Sequence, residues 1–147
     1  MIAKFASLAL AVVTSAALAH DPTMPNSYNW PVVRVHDGDS AEVEALWLPG
    51  ELGTRISIRL FGVDAPETTW RASCEQEKVR GRESLAALAR LIARPGVTVR
   101  IVDWDKYGGR ILGDFVTPDG VSVTQLMLEQ GHVQVYTGAG PKPNWCD

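Results

Sequence analysis

Histidine, cysteine and basic charge are all scarce in this 147-residue chain, and each scarcity removes a class of function. The three histidines, His20, His36 and His132, stand far apart rather than at ligand spacing, which argues against a histidine-rich zinc centre. No serine or cysteine sits in a nucleophile arrangement, so covalent catalysis has no candidate and no catalytic histidine is assigned. Two cysteines, Cys74 and Cys146, are too few for a disulfide framework. Fourteen Lys and Arg face 17 Asp and Glu, a net charge of −3. That balance counts against indiscriminate DNA binding through a broad basic surface. The chain has no internal repeat and no low-complexity block, and its N-terminal apolar stretch at residues 5–13 is shorter than the roughly 20 residues that span a bilayer.

What the N-terminus does contain is Lys4, that apolar stretch, and Ala17-Leu18-Ala19, the pattern of a secretory signal peptide over residues 1–19. The expectation is an exported protein, periplasmic or secreted, with no stable membrane anchor after cleavage and, as a single domain, a monomer. In that setting the two cysteines read most simply as one disulfide, Cys74 to Cys146, the alternative being two unpaired thiols. A polar lead-in at residues 20–30 precedes one domain over 31–136, and a glycine- and proline-rich tail, 137–147, is expected to be irregular.

Short β-like runs appear at residues 32–35, 41–48 and 55–63. In the second, Ala41, Val43, Ala45 and Trp47 alternate with Glu42 and Glu44, giving one buried and one wet face. In the third, Ile56, Ile58 and Leu60 set a phase that reverses by Val63, which a β-bulge near Gly62 would produce. The reversal would bring Arg59 and Asp64, five residues apart, onto one face. Ala65-Pro66 then takes the chain out of the sheet. Ser73-Cys74-Glu75-Gln76 suggests a capping box for a long helix stopped by Pro95-Gly96, and Ser122 a cap for a second helix running to Gln130 before Gly131. Strands are expected at 97–103 and 110–116. Three strands, a helix, two strands and a helix suggest an α+β fold: a five-stranded OB-like β-barrel with two to three helices packed on it.

Five side chains from separated segments carry the chemistry. Asp39, in Asp37-Gly38-Asp39-Ser40, and Asp64, beside an Ala65 carbonyl, form an all-oxygen set suited to a hard cation. Glu67 suits a general base, while Arg59 and Arg110 suit a phosphate whose negative charge builds during attack. Together they meet the needs of metal-assisted phosphodiester hydrolysis. Taken singly each is ordinary: Asp-Gly is a common turn pair, and a lone Arg59 on a strand is usually a solvated side chain.

With these residues in view the chain resembles the staphylococcal nuclease (thermonuclease) family over about residues 32–136. The resemblance rests on Val33-Arg34-Val35-His36-Asp37-Gly38-Asp39-Ser40, on Arg59-Leu60-Phe61-Gly62-Val63-Asp64-Ala65-Pro66-Glu67, and on Asp105-Lys106-Tyr107-Gly108. It implies Asp39, Asp64 and the Ala65 carbonyl as Ca²⁺ ligands, Glu67 as base, and Arg59 and Arg110 as phosphate-binding cations. Lys106 and Tyr107 are expected to line the substrate cleft. The implied activity is a Ca²⁺-dependent endonuclease on DNA and RNA that leaves 3′-phosphate ends. One departure stands out: Gly109 intervenes before Arg110, where the family commonly has arginine directly after Tyr-Gly. The rival readings are a catalytically silent OB-type module that binds nucleic acid, and an exported domain that holds calcium for stability alone.

Overall fold

The computed structural model describes residues 27–45 and 54–146. The signal-peptide reading, and the part of the second expected strand beyond residue 45, lie outside these residues. Among them run β1 (Ser27–Tyr28), β2 (Val32–Val35), β3 (Ser40–Glu44), β4 (Arg55–Leu60), β5 (Val63–Asp64), α1 (Glu75–Ile92), β6 (Thr98–Trp104), β7 (Arg110–Val116), α2 (Val123–Glu129) and β8 (Gln134–Val135).

Six strands form one mixed sheet in the order β1-β6-β7-β4-β3-β2, and β5 pairs with β8 in a separate ribbon. The pairings are antiparallel except β4 with β7. The α+β, OB-like class stands, with a difference at the edges. Among the described residues the sheet is not closed, and it has a sixth strand because the lead-in places Ser27 and Tyr28 opposite Arg100 and Val99 of β6.

The buried face follows the period-two pattern: Ala41 and Val43 on β3, Ile58 and Leu60 on β4, Val99 on β6, Ile111 and Phe115 on β7. Against them pack Leu88 and Ile92 of α1 and Val123 and Met127 of α2, all at or near full burial. The second helix begins at Ser122, whose hydroxyl accepts from Gln125 N–H at 3.1 Å. Buried Asp114 of β7 fixes that helix start, accepting from Ser122 Oγ at 2.6 Å and from Thr124 N–H at 3.0 Å.

Two local expectations are corrected. The third run is not one strand with a bulge: it ends at Leu60, Phe61 and Gly62 form a turn, and the chain resumes as β5. Gly62 takes φ 77°, a left-handed conformation that glycine adopts without a Cβ penalty, so the chain turns where a bulged strand would have carried straight on. The cap of α1 is Cys74 rather than Ser73, its Sγ accepting from Glu77 N–H at 3.4 Å, so the residue three positions on is the acid Glu77 and not the amide Gln76.

Candidate active site

The connection between β2 and β3 is folded by Asp37, whose Oδ1 accepts from Asp39 N–H at 3.0 Å and from Ser40 Oγ at 2.7 Å. Gly38 lets this turn press against α1, since a Cβ there would collide with the Ser84 side chain. The turn drives Asp39 inward to 2% exposure. Its Oδ2 accepts from Ala65 N–H at 2.9 Å and its Oδ1 from Arg59 Nη1 at 2.7 Å.

Arg59 leaves the outer face of β4, and the Phe61-Gly62 turn returns the chain beneath it. Its Nη2 lies 3.4 Å from both Asp64 Oδ1 and the Val63 carbonyl. One guanidinium therefore bridges two carboxylates from segments 25 positions apart, Asp39 and Asp64. Asp64 is 1% exposed. Burial, with neighbouring Asp37, pushes the Asp39 carboxyl up to about 8, while Arg59 and the Ala65 N–H pull the other way.

Glu67 stands on the loop that leaves β5, held by α1 in two ways. Its backbone N–H donates to Glu77 Oε1 at 3.2 Å, and Glu77, itself buried, also accepts from Ser73 N–H at 2.6 Å. Gly81 lets the helix approach that loop, because a Cβ on Gly81 would lie 2.6 Å from the Glu67 carbonyl oxygen. A larger residue would push the loop that carries Glu67 away.

Arg110 falls on the same face as Arg59. In the parallel β4–β7 register Ser57 is opposite Arg110 and Arg59 opposite Leu112, so the outward set of one strand continues in the outward set of the other. The intervening Gly109 does not invert Arg110, because Gly108 and Gly109 both take positive φ, 74° and 73°, and are absorbed in the loop. Arg110 Nη2 pairs with Asp105 Oδ2 at 2.6 Å. The Tyr107 N–H bonded to Asp105, with help from Arg110, holds that carboxyl below its usual range. Lys106 and Tyr107 project from the β6–β7 loop, Tyr107 exposed and the Lys106 Nζ 5.0 Å from its ring centroid.

One side chain in the cluster had no place in the sequence reading. Lys142 Nζ lies 2.9 Å from Asp64 Oδ1 and 3.5 Å from Glu67 Oε1, joining a candidate metal ligand to the candidate base. Burial opposes its charge, but the hydrogen bond and charge of Asp64, with Glu67, outweigh that and raise its pKa above the ordinary lysine value. It comes from the tail expected to be irregular, and the tail has no regular structure, yet it is fastened. Cys146 is bonded to Cys74 with Cα atoms 5.9 Å apart, Trp145 is buried, and Arg80 Nη1 donates to the Trp145 carbonyl at 3.0 Å. A sequence signal did exist: Pro141-Lys142-Pro143 is stiffened on both sides and stands four residues from Cys146. Glu77 and Gly81 were also missed, their helical spacing hiding that they hold a loop rather than a core.

Asp39 and Asp64 fit a hard cation in donor chemistry. Both are carboxylates and both are buried, and a dication would complement them as the cations of Arg59 and Lys142 do here. Ala65 meets the site through its N–H on Asp39. Among the described residues no group of three or more His, Cys, Asp or Glu side chains is gathered for a metal, so the carboxylate pair would need backbone or water oxygens as well.

Residues 57–144 match the family model for staphylococcal nuclease homologues. An uncharacterized endonuclease of Escherichia coli is 36% identical over 118 residues, spanning 74% of this chain and 67% of that protein. A probable staphylococcal-like nuclease, CAN1, of Oryza sativa subsp. japonica is 34% identical over 92 residues, spanning 63% of this chain and 25% of that protein. The matched region takes in the Arg59 to Glu67 segment, Arg110 and the tail as far as residue 144.

Proposed function

Because the chain belongs to the staphylococcal nuclease family and is a phosphodiester hydrolase, we propose that it is a Ca²⁺-dependent endonuclease cleaving DNA and RNA, with Glu67 as general base and Arg59 and Arg110 as phosphate clamps. The observation that carries this reading is one cluster: Arg59 bridging Asp39 and Asp64, with Glu67 sharing the Lys142 ammonium with Asp64. A base, two cation ligands and a guanidinium that can donate to phosphate oxygens are thereby linked through shared ion pairs.

Asp39 and Asp64 would hold the calcium ion, whose chemistry there is Lewis-acid polarisation of a phosphate oxygen. Glu67 takes a proton from the attacking water, its loop fixed by Glu77 so that the carboxylate need not be ordered during reaction. Arg59 has five N–H donors, so bonding two carboxylates leaves capacity for a phosphate oxygen as charge builds on it. Arg110, on the same face, reaches the remaining oxygens once it is shared with or freed from Asp105. Lys106 and Tyr107 flank the cleft from their loop. Export to the periplasm or outside is supported by the Cys74–Cys146 disulfide, which persists in oxidising compartments, and the working form is a monomer.

End-labelled DNA and RNA oligonucleotides incubated with the mature chain test this reading. Internal cleavage of both in calcium, with 3′-phosphate ends and none in EDTA, is expected; retention of labelled strands without cleavage would support the silent binding module instead.

A further inference from the structure

Lys142 makes the tail part of the site. A surface lysine paired with a surface acid contributes little, but here the partner Asp64 is 1% exposed and has little water to turn to. The ammonium claims Asp64 Oδ1, an oxygen that also faces Arg59, and reaches Glu67 Oε1 with the same nitrogen. A dication ligated by Asp64 would draw on the same carboxylate and would meet that ammonium at contact range, where like charges repel strongly in a part-buried setting. The two cations therefore compete. The lysine side chain, 54% exposed, can swing into water without moving the backbone. Its stem cannot leave: Pro141 and Pro143 stiffen the segment, and the next anchors are buried Trp145 and the Cys74–Cys146 bond.

We propose that Lys142 is a tethered exchange cation: it neutralises Asp64 and Glu67 until a divalent cation enters, then gives way, so that the disulfide-fastened tail sets the metal affinity of the site and keeps Glu67 in an ion pair until metal is bound. This rests on the metal reading above and adds to it an autoinhibitory contact and the residue that makes it.

Calorimetric titration of calcium into the purified, oxidised chain tests the exchange directly, without any substrate. Lys142→Met should bind calcium more tightly by about tenfold, the scale of one competing charge removed from a part-exposed site. Lys142→Gln should do the same, and Lys142→Arg, which keeps the charge, should stay near wild type. Lys78→Met removes the same charge from an exposed pair with Glu75 on α1 and should leave affinity unchanged. Thermal melts of each variant confirm that a folded protein was titrated. Equal or weaker calcium binding by both Lys142→Met and Lys142→Gln would overturn the exchange while leaving the metal reading intact. Absence of binding by wild type and variants alike would overturn the metal reading and the exchange with it.

Discussion

Arg59 is the residue on which the site turns, since its two terminal nitrogens hold Asp39 and Asp64 together. Lysine would keep the charge and lose the fork, so Arg59→Lys should lower the cleavage rate about a hundredfold, equivalent to about 3 kcal/mol of transition-state stabilisation. Single-turnover kinetics at saturating substrate will show it, and a near-normal rate would reduce Arg59 to a structural bridge. Asp105 offers a pH test. Its folded pKa lies below the unfolded value of 3.8, so its stabilising share is present above that value and is lost as pH falls through the lower, folded one. The melting-temperature gap between wild type and Asp105→Asn should therefore narrow on acidifying from about pH 7 to about pH 2.5, and a constant gap would contradict the assignment. At this scale the meeting of Asp39, Arg59 and Asp64 was legible, because two acids and a guanidinium at those spacings fall on one face once the chain reverses after Leu60. Lys142 was not, because its partners are 75 and 78 positions away and only the folded tail brings it there.

The elements explain why Glu67 is held where it is. Helix α1 grips the exit loop through Glu77 and comes close enough only because residue 81 is glycine. Gly81→Ala places a Cβ against a backbone oxygen that has no rotamer to escape into, so it should destabilise the fold by about 1–3 kcal/mol and lower turnover more than substrate affinity. Denaturant melts and steady-state kinetics on the same preparation separate the two effects; unchanged turnover would mean the loop is set from elsewhere. Strand phase along Ile56, Ile58 and Leu60 was readable from alternation, as was the reversal by Val63. What alternation could not distinguish was a bulge from a two-residue turn, since both change parity and only the φ of Gly62 decides. The shift of the α1 cap from Ser73 to Cys74 has a similar cause: either residue offers an acceptor, and the reach of Glu77 to the Ser73 and Glu67 N–H groups favours the later start.

At the scale of the whole molecule, the open OB-like sheet presents Arg59 and Arg110 on neighbouring parallel strands while the tail closes over the carboxylates from the helix side. The Cys74–Cys146 bond spans 72 positions, and closing a loop of that order should contribute about 4 kcal/mol to stability in the chain-entropy model. A Cys74→Ala/Cys146→Ala variant should melt lower in calorimetry yet still cleave in calcium. Loss of cleavage in a folded variant would show that the bond positions the catalytic groups as well as the tail. The succession of the longer strands and the two helices along the chain followed from strand and cap signals, whereas β1 and β8, two residues each, carry no periodicity to read. In the proposed mechanism Glu67 activates water beside a calcium ion held by Asp39 and Asp64. Single-turnover cleavage of a labelled oligonucleotide by wild type and Glu67→Gln, each in saturating calcium and in EDTA, tests that claim most directly. Wild type should cleave only in calcium, and Glu67→Gln should bind the strand normally while cleaving at least about a hundredfold more slowly. Cleavage in EDTA, or a Glu67→Gln rate within a few-fold of wild type, would contradict it.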